Sequence, residues 1–111
     1  MLNHLNEVFN SYKTMKPIKN ITSLSGEALF GVLKNDFADY INSKLDSGLN
    51  IEFAHVEDVI NVMFPDVIEG IAFSIIVTEK EITVTENHIS PEYNSGLLEQ
   101  YLIDFLTLRA S

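Results

Sequence analysis

The order of apolar and polar positions divides the chain into a short series of elements. Between residues 2 and 15, Leu2, Leu5, Val8, Phe9, Tyr12 and Met15 share one helical face, which predicts a helix that Lys16-Pro17 ends. Residues 26–46 predict a second helix. Phe30, Leu33, Phe37, Ile41 and Leu45 form its apolar stripe, Ser25 its N-cap, Glu27 an acid in its first turn, and the Gly48 region its C-cap. Residues 50–54 alternate as a strand does, with Ile51 and Phe53 on one face. From His55 the spacing changes. Val56, Val59, Ile60 and Met63 fit a third helix over 56–63, with Glu57 and Asp58 in a first turn whose dipole favours acids.

The alternation over 71–78 is cleaner. Ile71, Phe73, Ile75 and Val77 point one way, and Ala72, Ser74, Ile76 and Thr78 the other. Over 81–87, Ile82 and Val84 oppose Glu81, Thr83 and Thr85. Pairing Thr78 with Glu81 sets Val77 against Ile82 and Ile75 against Val84, so one register satisfies the apolar face of an antiparallel hairpin. The Glu79-Lys80 tip lacks Asn-Gly chemistry, which predicts a bulge or a wider loop. Ser90-Pro91-Glu92 opens a final helix over 91–109, packed by Leu98, Tyr101, Leu102, Phe105 and Leu108, and Asn94-Ser95-Gly96 can break its first turn. The expected fold is α+β: four helices packed on the hairpin 71–78/81–87, with a third strand if 50–54 pairs. Strands consecutive in sequence, with helices before and after, argue against a parallel doubly wound sheet.

Composition changes this picture little. A chain of 111 residues, 46% hydrophobic, is expected to be one domain over 1–111. It contains no cysteine, which removes disulfides, thiolate metal sites and cysteine nucleophiles. The opening "MLNHLNEVFN" lacks the basic and apolar regions of a secretory signal, and no apolar run approaches the roughly 18 residues of a membrane span. The expected setting is cytoplasmic, without membrane contact.

Charge changes it more. Sixteen acids against seven bases give a net charge of −9. Residues 1–50 balance five lysines against five acids, whereas residues 51–111 set only Lys80 and Arg109 against eleven acids. The whole excess lies in the second half. Such a surface repels nucleic acid and speeds encounter with a basic partner by about 10 to 1000-fold.

Candidate chemistry is sparse. His4, His55 and His88 stand far apart, and His55 with Asp58 matches no strong metal-ligand spacing. No serine sits in a G-x-S-x-G elbow, the glycines are scattered singly, and Asn20-Ile21-Thr22 matches a glycosylation acceptor without a secretory context. No catalytic residue, metal site or cofactor is expected. The stretch "TEKEITVTEN" at 78–87 carries more acid than guarding a hydrophobic hairpin requires, for which one or two charges suffice. The candidate partner-binding residues are therefore Glu52, Glu57, Asp58, Asp66, Glu69, Glu79, Glu81, Glu86 and Glu92, with Tyr93 as an aromatic anchor.

In size, charge and lack of enzyme signatures, the chain resembles the small acidic bacterial immunity proteins of toxin–immunity pairs, those of contact-dependent growth inhibition and other polymorphic toxins. The resemblance implies an inhibitor that covers a basic cognate toxin domain, a nuclease above all, with carboxylates in place of phosphates. Two other functions fit the same residues: a non-catalytic adaptor or regulatory protein-binding module, and a small enzyme or metal protein built around His55. The face around Ile76 leaves the oligomeric state open.

Overall fold

The computed structural model describes residues 17–87 and 95–111. The helix expected over 2–15 and the opening of the last helix at 91–94, with Glu92 and Tyr93, lie outside them. Within them the chain forms β1 (Ile18–Lys19), a helical rod α1, strands β2 (Glu52–Val56), β3 (Val59–Met63), β4 (Ile71–Val77) and β5 (Glu81–Glu86), and a second helix α2 (Ser95–Ala110). The five strands make one antiparallel sheet in the order β1-β5-β4-β3-β2. Strands β2 to β5 follow one another as a meander, and β1 adds itself to the edge of β5.

The rod α1 joins an α segment Gly26–Val32, a π segment Leu33–Phe37 and a second α segment Ala38–Leu45. Ser25 caps it as its type predicts, its Oγ accepting from the Ala28 amide at 3.0 Å. Its fully buried residues are Leu29, Leu33, Phe37 and Ile41, spaced by four, while Phe30 packs only partly against the core. On an α-helix a spacing of four drifts about 40° per step. The wider i→i+5 turn drifts the other way, so the π segment returns the stripe to the sheet. Asp46, not the Gly48 region, ends the rod in a left-handed conformation (φ 51°), and the Ser47 amide donates to the Asn42 carbonyl at 3.0 Å.

The expected helix over 56–63 is not formed. Its residues split between the end of β2, a turn at Glu57-Asp58 and all of β3, with Val56 paired to Val59 and Glu52 to Met63. Val56, Val59, Ile60 and Met63 fit a helical face, but Val59, Ile60 and Val62 are β-branched and the run is flanked by two strands able to pair with it. As a central strand it buries Ile60 and Val62 completely. The strand expected at 50–54 exists, shifted to 52–56.

The hairpin register is as predicted: Val77 pairs with Ile82 and Ile75 with Val84. No bulge interrupts it. Thr78 closes the turn instead, its amide donating to the Glu81 carbonyl at 2.8 Å and its Oγ1 accepting from the Glu81 amide at 3.0 Å. Both α1 and α2 cover one face of the sheet, with Leu98, Leu102, Phe105 and Leu106 of α2 buried beside the α1 stripe and the inward residues of β3, β4 and β5. No helix among the described residues is long and apolar enough to cross a membrane.

Candidate functional site

Strand direction sorts the acidic residues. The Glu57-Asp58 turn, the Glu79-Lys80 turn and Glu81 stand at one end of the sheet, while Glu52, Asp66, Glu69 and Glu86 belong to the other. Strands of five to seven residues separate the two groups by about 15–20 Å. That exceeds the ~8 Å screening length of physiological salt, so the groups act as two surfaces. Two of the second group have local roles. Glu86 is 5% exposed and faces the helices opposite Phe73, and the Asp66 carboxylate accepts from the Asn50 amide at 3.0 Å.

The turn end holds the more developed arrangement. A cleft there is lined by Ser23, Leu24, Ser25, Gly26, Asp58, Val77, Thr78 and Glu79. A second depression beside it adds Lys19, Asn20, Ile21 and Lys80. Leu24 and Val77 give the cleft apolar area; Asp58, Glu79 and the hydroxyl residues give it polar area. The Val77 amide donates to the Asp58 carbonyl at 2.9 Å, which fixes the backbone of this carboxylate. Ser23 (φ 53°) and Glu57 (φ 54°) both adopt the left-handed conformation at this end, a local cost that surrounding contacts must offset.

Those contacts are visible. His55 donates from Nε2 to the Glu57 carbonyl and stacks on Phe30 with ring centroids 5.1 Å apart. The histidine thus holds the acidic turn against α1. Among the described residues no group of three or more histidines and carboxylates is placed to hold a metal. Gly26 completes the fit: a Cβ there would stand 2.9 Å from the Glu57 carbonyl oxygen and 3.2 Å from His55 Nε2. Gly26→Ala is therefore expected to destabilise the fold by about 1–2 kcal/mol, overpacking outweighing the gain in helix propensity. Gly31→Ala, with no atom within 4 Å of the added methyl, is expected to stabilise it by about 0.5–1 kcal/mol. Thermal unfolding of the two variants checks the pair. Equal effects would mean that the turn does not press on α1.

Asn20 organises the other wall. It is 5% exposed, and its side chain donates to the carbonyls of Leu24 and Thr78 and accepts from the Leu24 amide, each at 2.9 Å. Residues 20–24 are thereby tied to the β4–β5 turn across 58 positions of sequence. No known protein family, curated protein or solved structure matches the chain. The cleft's chemistry must speak for itself. Two carboxylates and several hydroxyls around apolar area suit a cation on an aliphatic stem, as lysine and arginine side chains are. The sequence offered Asp58 and Glu79 as partner-binding residues, but Ser25 only as a helix cap, Thr78 only as a strand end, and Asn20 and Ser23 in no binding role. The hydroxyl-rich run "NITSLSGE" is the signal it held for three of these.

Proposed function

We propose that this chain is a cytoplasmic protein-binding inhibitor that neutralises a basic partner, a cognate toxin domain of nuclease type, in the manner of an immunity protein. The observation that carries the reading is the convergence of Glu57, Asp58, Glu79 and Glu81 from two turns beside a cleft that suits a basic side chain. Exposed charges there attract a phosphate-gripping surface at long range, and the cleft takes one lysine or arginine on contact. Lys19 and Lys80 flank the site and limit which cationic patterns fit.

The test is capture on the immobilised full chain from a lysate of the source organism at low salt, followed by stepwise salt elution. The expected result is one basic protein, retained by the wild type and held about tenfold more weakly by Asp58→Asn/Glu79→Gln, as loss of one or two charge-assisted contacts implies. A partner held equally by both proteins and indifferent to salt would reject the acidic mechanism. The adaptor reading has its own support in the face of the sheet that neither described helix covers, where Val56 is 66% and Ile76 42% exposed. It expects salt-insensitive capture that Ile76→Lys abolishes.

A further inference from the structure

Strand β2 is an outer strand of the sheet, five residues long, and among the described residues nothing pairs with its outer side. Alternation identifies the groups left there. The Asp58 carbonyl accepts from Val77 on β4, so Val59, Asn61 and Met63 turn their backbone groups towards β2. Their partners Val56, Ala54 and Glu52 therefore point inward, and the amides and carbonyls of Phe53 and His55 point outward. The opposite edge differs: there a strand of only two residues, β1, covers β5. Proteins usually shield a free edge with charged side chains, lysine above all, with proline or with a bulge. In β2 Glu52 is the one carboxylate, no lysine or proline occurs, and the pairing with β3 runs in register throughout.

We infer that the outer edge of β2 accepts an extended, basic segment of the partner as a sixth, antiparallel strand. Main-chain bonds to Phe53 and His55 would supply the register, and the exposed side chains of β2 would supply the choice of sequence. On the face opposite the described helices these are Glu52, Ala54 and Val56. Running antiparallel, the incoming strand meets Val56 first and Glu52 four residues later. It is read as an apolar residue, three variable ones and then a lysine or arginine. Residues before the apolar one pass Glu57 and Asp58, where further basic residues fit. Lys34 lies over the Phe30 ring on the helix side, so the side of this edge opposite the described helices keeps its negative sign. The same sign disfavours a second copy of this chain, itself carrying nine excess negative charges, as the occupant.

The inference rests on the reading of the chain as a binder of basic proteins, and the experiment separates the two. The probe is a synthetic peptide with valine and lysine four residues apart between flanking lysines. Its control is the same peptide with alternate amides N-methylated, which keeps every charge but cannot extend a sheet. Amide hydrogen exchange of the full chain is followed with each. The plain peptide is expected to slow exchange at Phe53 and His55 by about tenfold or more, the methylated one to leave them unchanged. Glu52→Lys is expected to weaken the plain peptide about tenfold, since it turns an attractive cross-strand pair into a repulsive one. Equal binding of both peptides without protection at Phe53 and His55 would overturn the edge and leave the acidic surface standing. No binding of either at low salt would overturn both. Protection of these two amides that grows with protein concentration alone would assign the edge to a second copy and overturn the basic occupant.

Discussion

Phe37→Ala is expected to lower the free energy of unfolding by about 3–5 kcal/mol, the range for deleting a buried phenylalanine. Phe37 has no exposed surface and stands where three elements meet. Its ring lies 5.2 Å from Phe105 of α2 and 6.3 Å from Phe53 of β2, both edge-on, and 6.4 Å from Tyr40 of its own rod. Each such pair adds about 0.5–1.5 kcal/mol beyond the area buried. Alanine would leave a cavity where the π segment of α1, helix α2 and strand β2 meet. A domain of this size has only about 5–15 kcal/mol to lose. Urea titration of Phe37→Ala beside Phe37→Leu checks the account. Leucine, which fills most of the volume, should cost less than half as much. A loss below 1 kcal/mol for alanine would mean that the cluster does not hold the three elements together.

The second large effect is expected at Asn20. Asn20→Ala removes three hydrogen bonds at once and leaves the Leu24 amide, the Leu24 carbonyl and the Thr78 carbonyl without that partner. At about 1 kcal/mol for each bond, the loss is about 3 kcal/mol, and more where water cannot replace the amide. Asn20→Asp should be no better, because a carboxylate can serve the Leu24 amide but meets the two carbonyls with like charge. The damage should be local as well as global. The Asn20 amide donates to the Lys80 carbonyl at 2.9 Å, so the loop before α1 and the β4–β5 turn would loosen together. Faster amide exchange at Leu24 and in the Thr78–Glu81 turn is the expected signature. An unfolding free energy within 0.5 kcal/mol of wild type, with that exchange unchanged, would show that the cleft wall is held by other contacts.

Helix α1, helix α2 and the β4–β5 hairpin could be read from sequence because each is specified within its own length. An apolar stripe, a Ser25 cap and a matched pair of alternating runs carry the information locally. Even there the buried row began at Leu29 and not Phe30, which stands beside that row and stacks on His55, and the π segment, which no residue type announces, carries the row on through Phe37. The stretch 56–63 could not be read in this way. Its apolar spacing suits a helix and a strand alike, and the choice fell to neighbours on both sides: β2 through Val56–Val59 and β4 through Ile60–Ile75. Hydrogen bonds to two strands and complete burial of Ile60 and Val62 outweigh what a single helical turn or two could gain.

The acidic surface divides in the same way. The sequence alone determined that the excess negative charge lies in residues 51–111. Only the meander decided that Glu57, Asp58, Glu79 and Glu81 share one end of the sheet while Glu52, Asp66 and Glu69 share the other. The cleft needed the tertiary structure altogether. Its walls come from residues 20–26, the β2–β3 turn and the β4–β5 turn, joined by an asparagine that reaches a partner 58 positions along the chain. Periodicity reports what a segment buries on its own face, whereas a site assembled from three distant turns exists only once the sheet between them has formed.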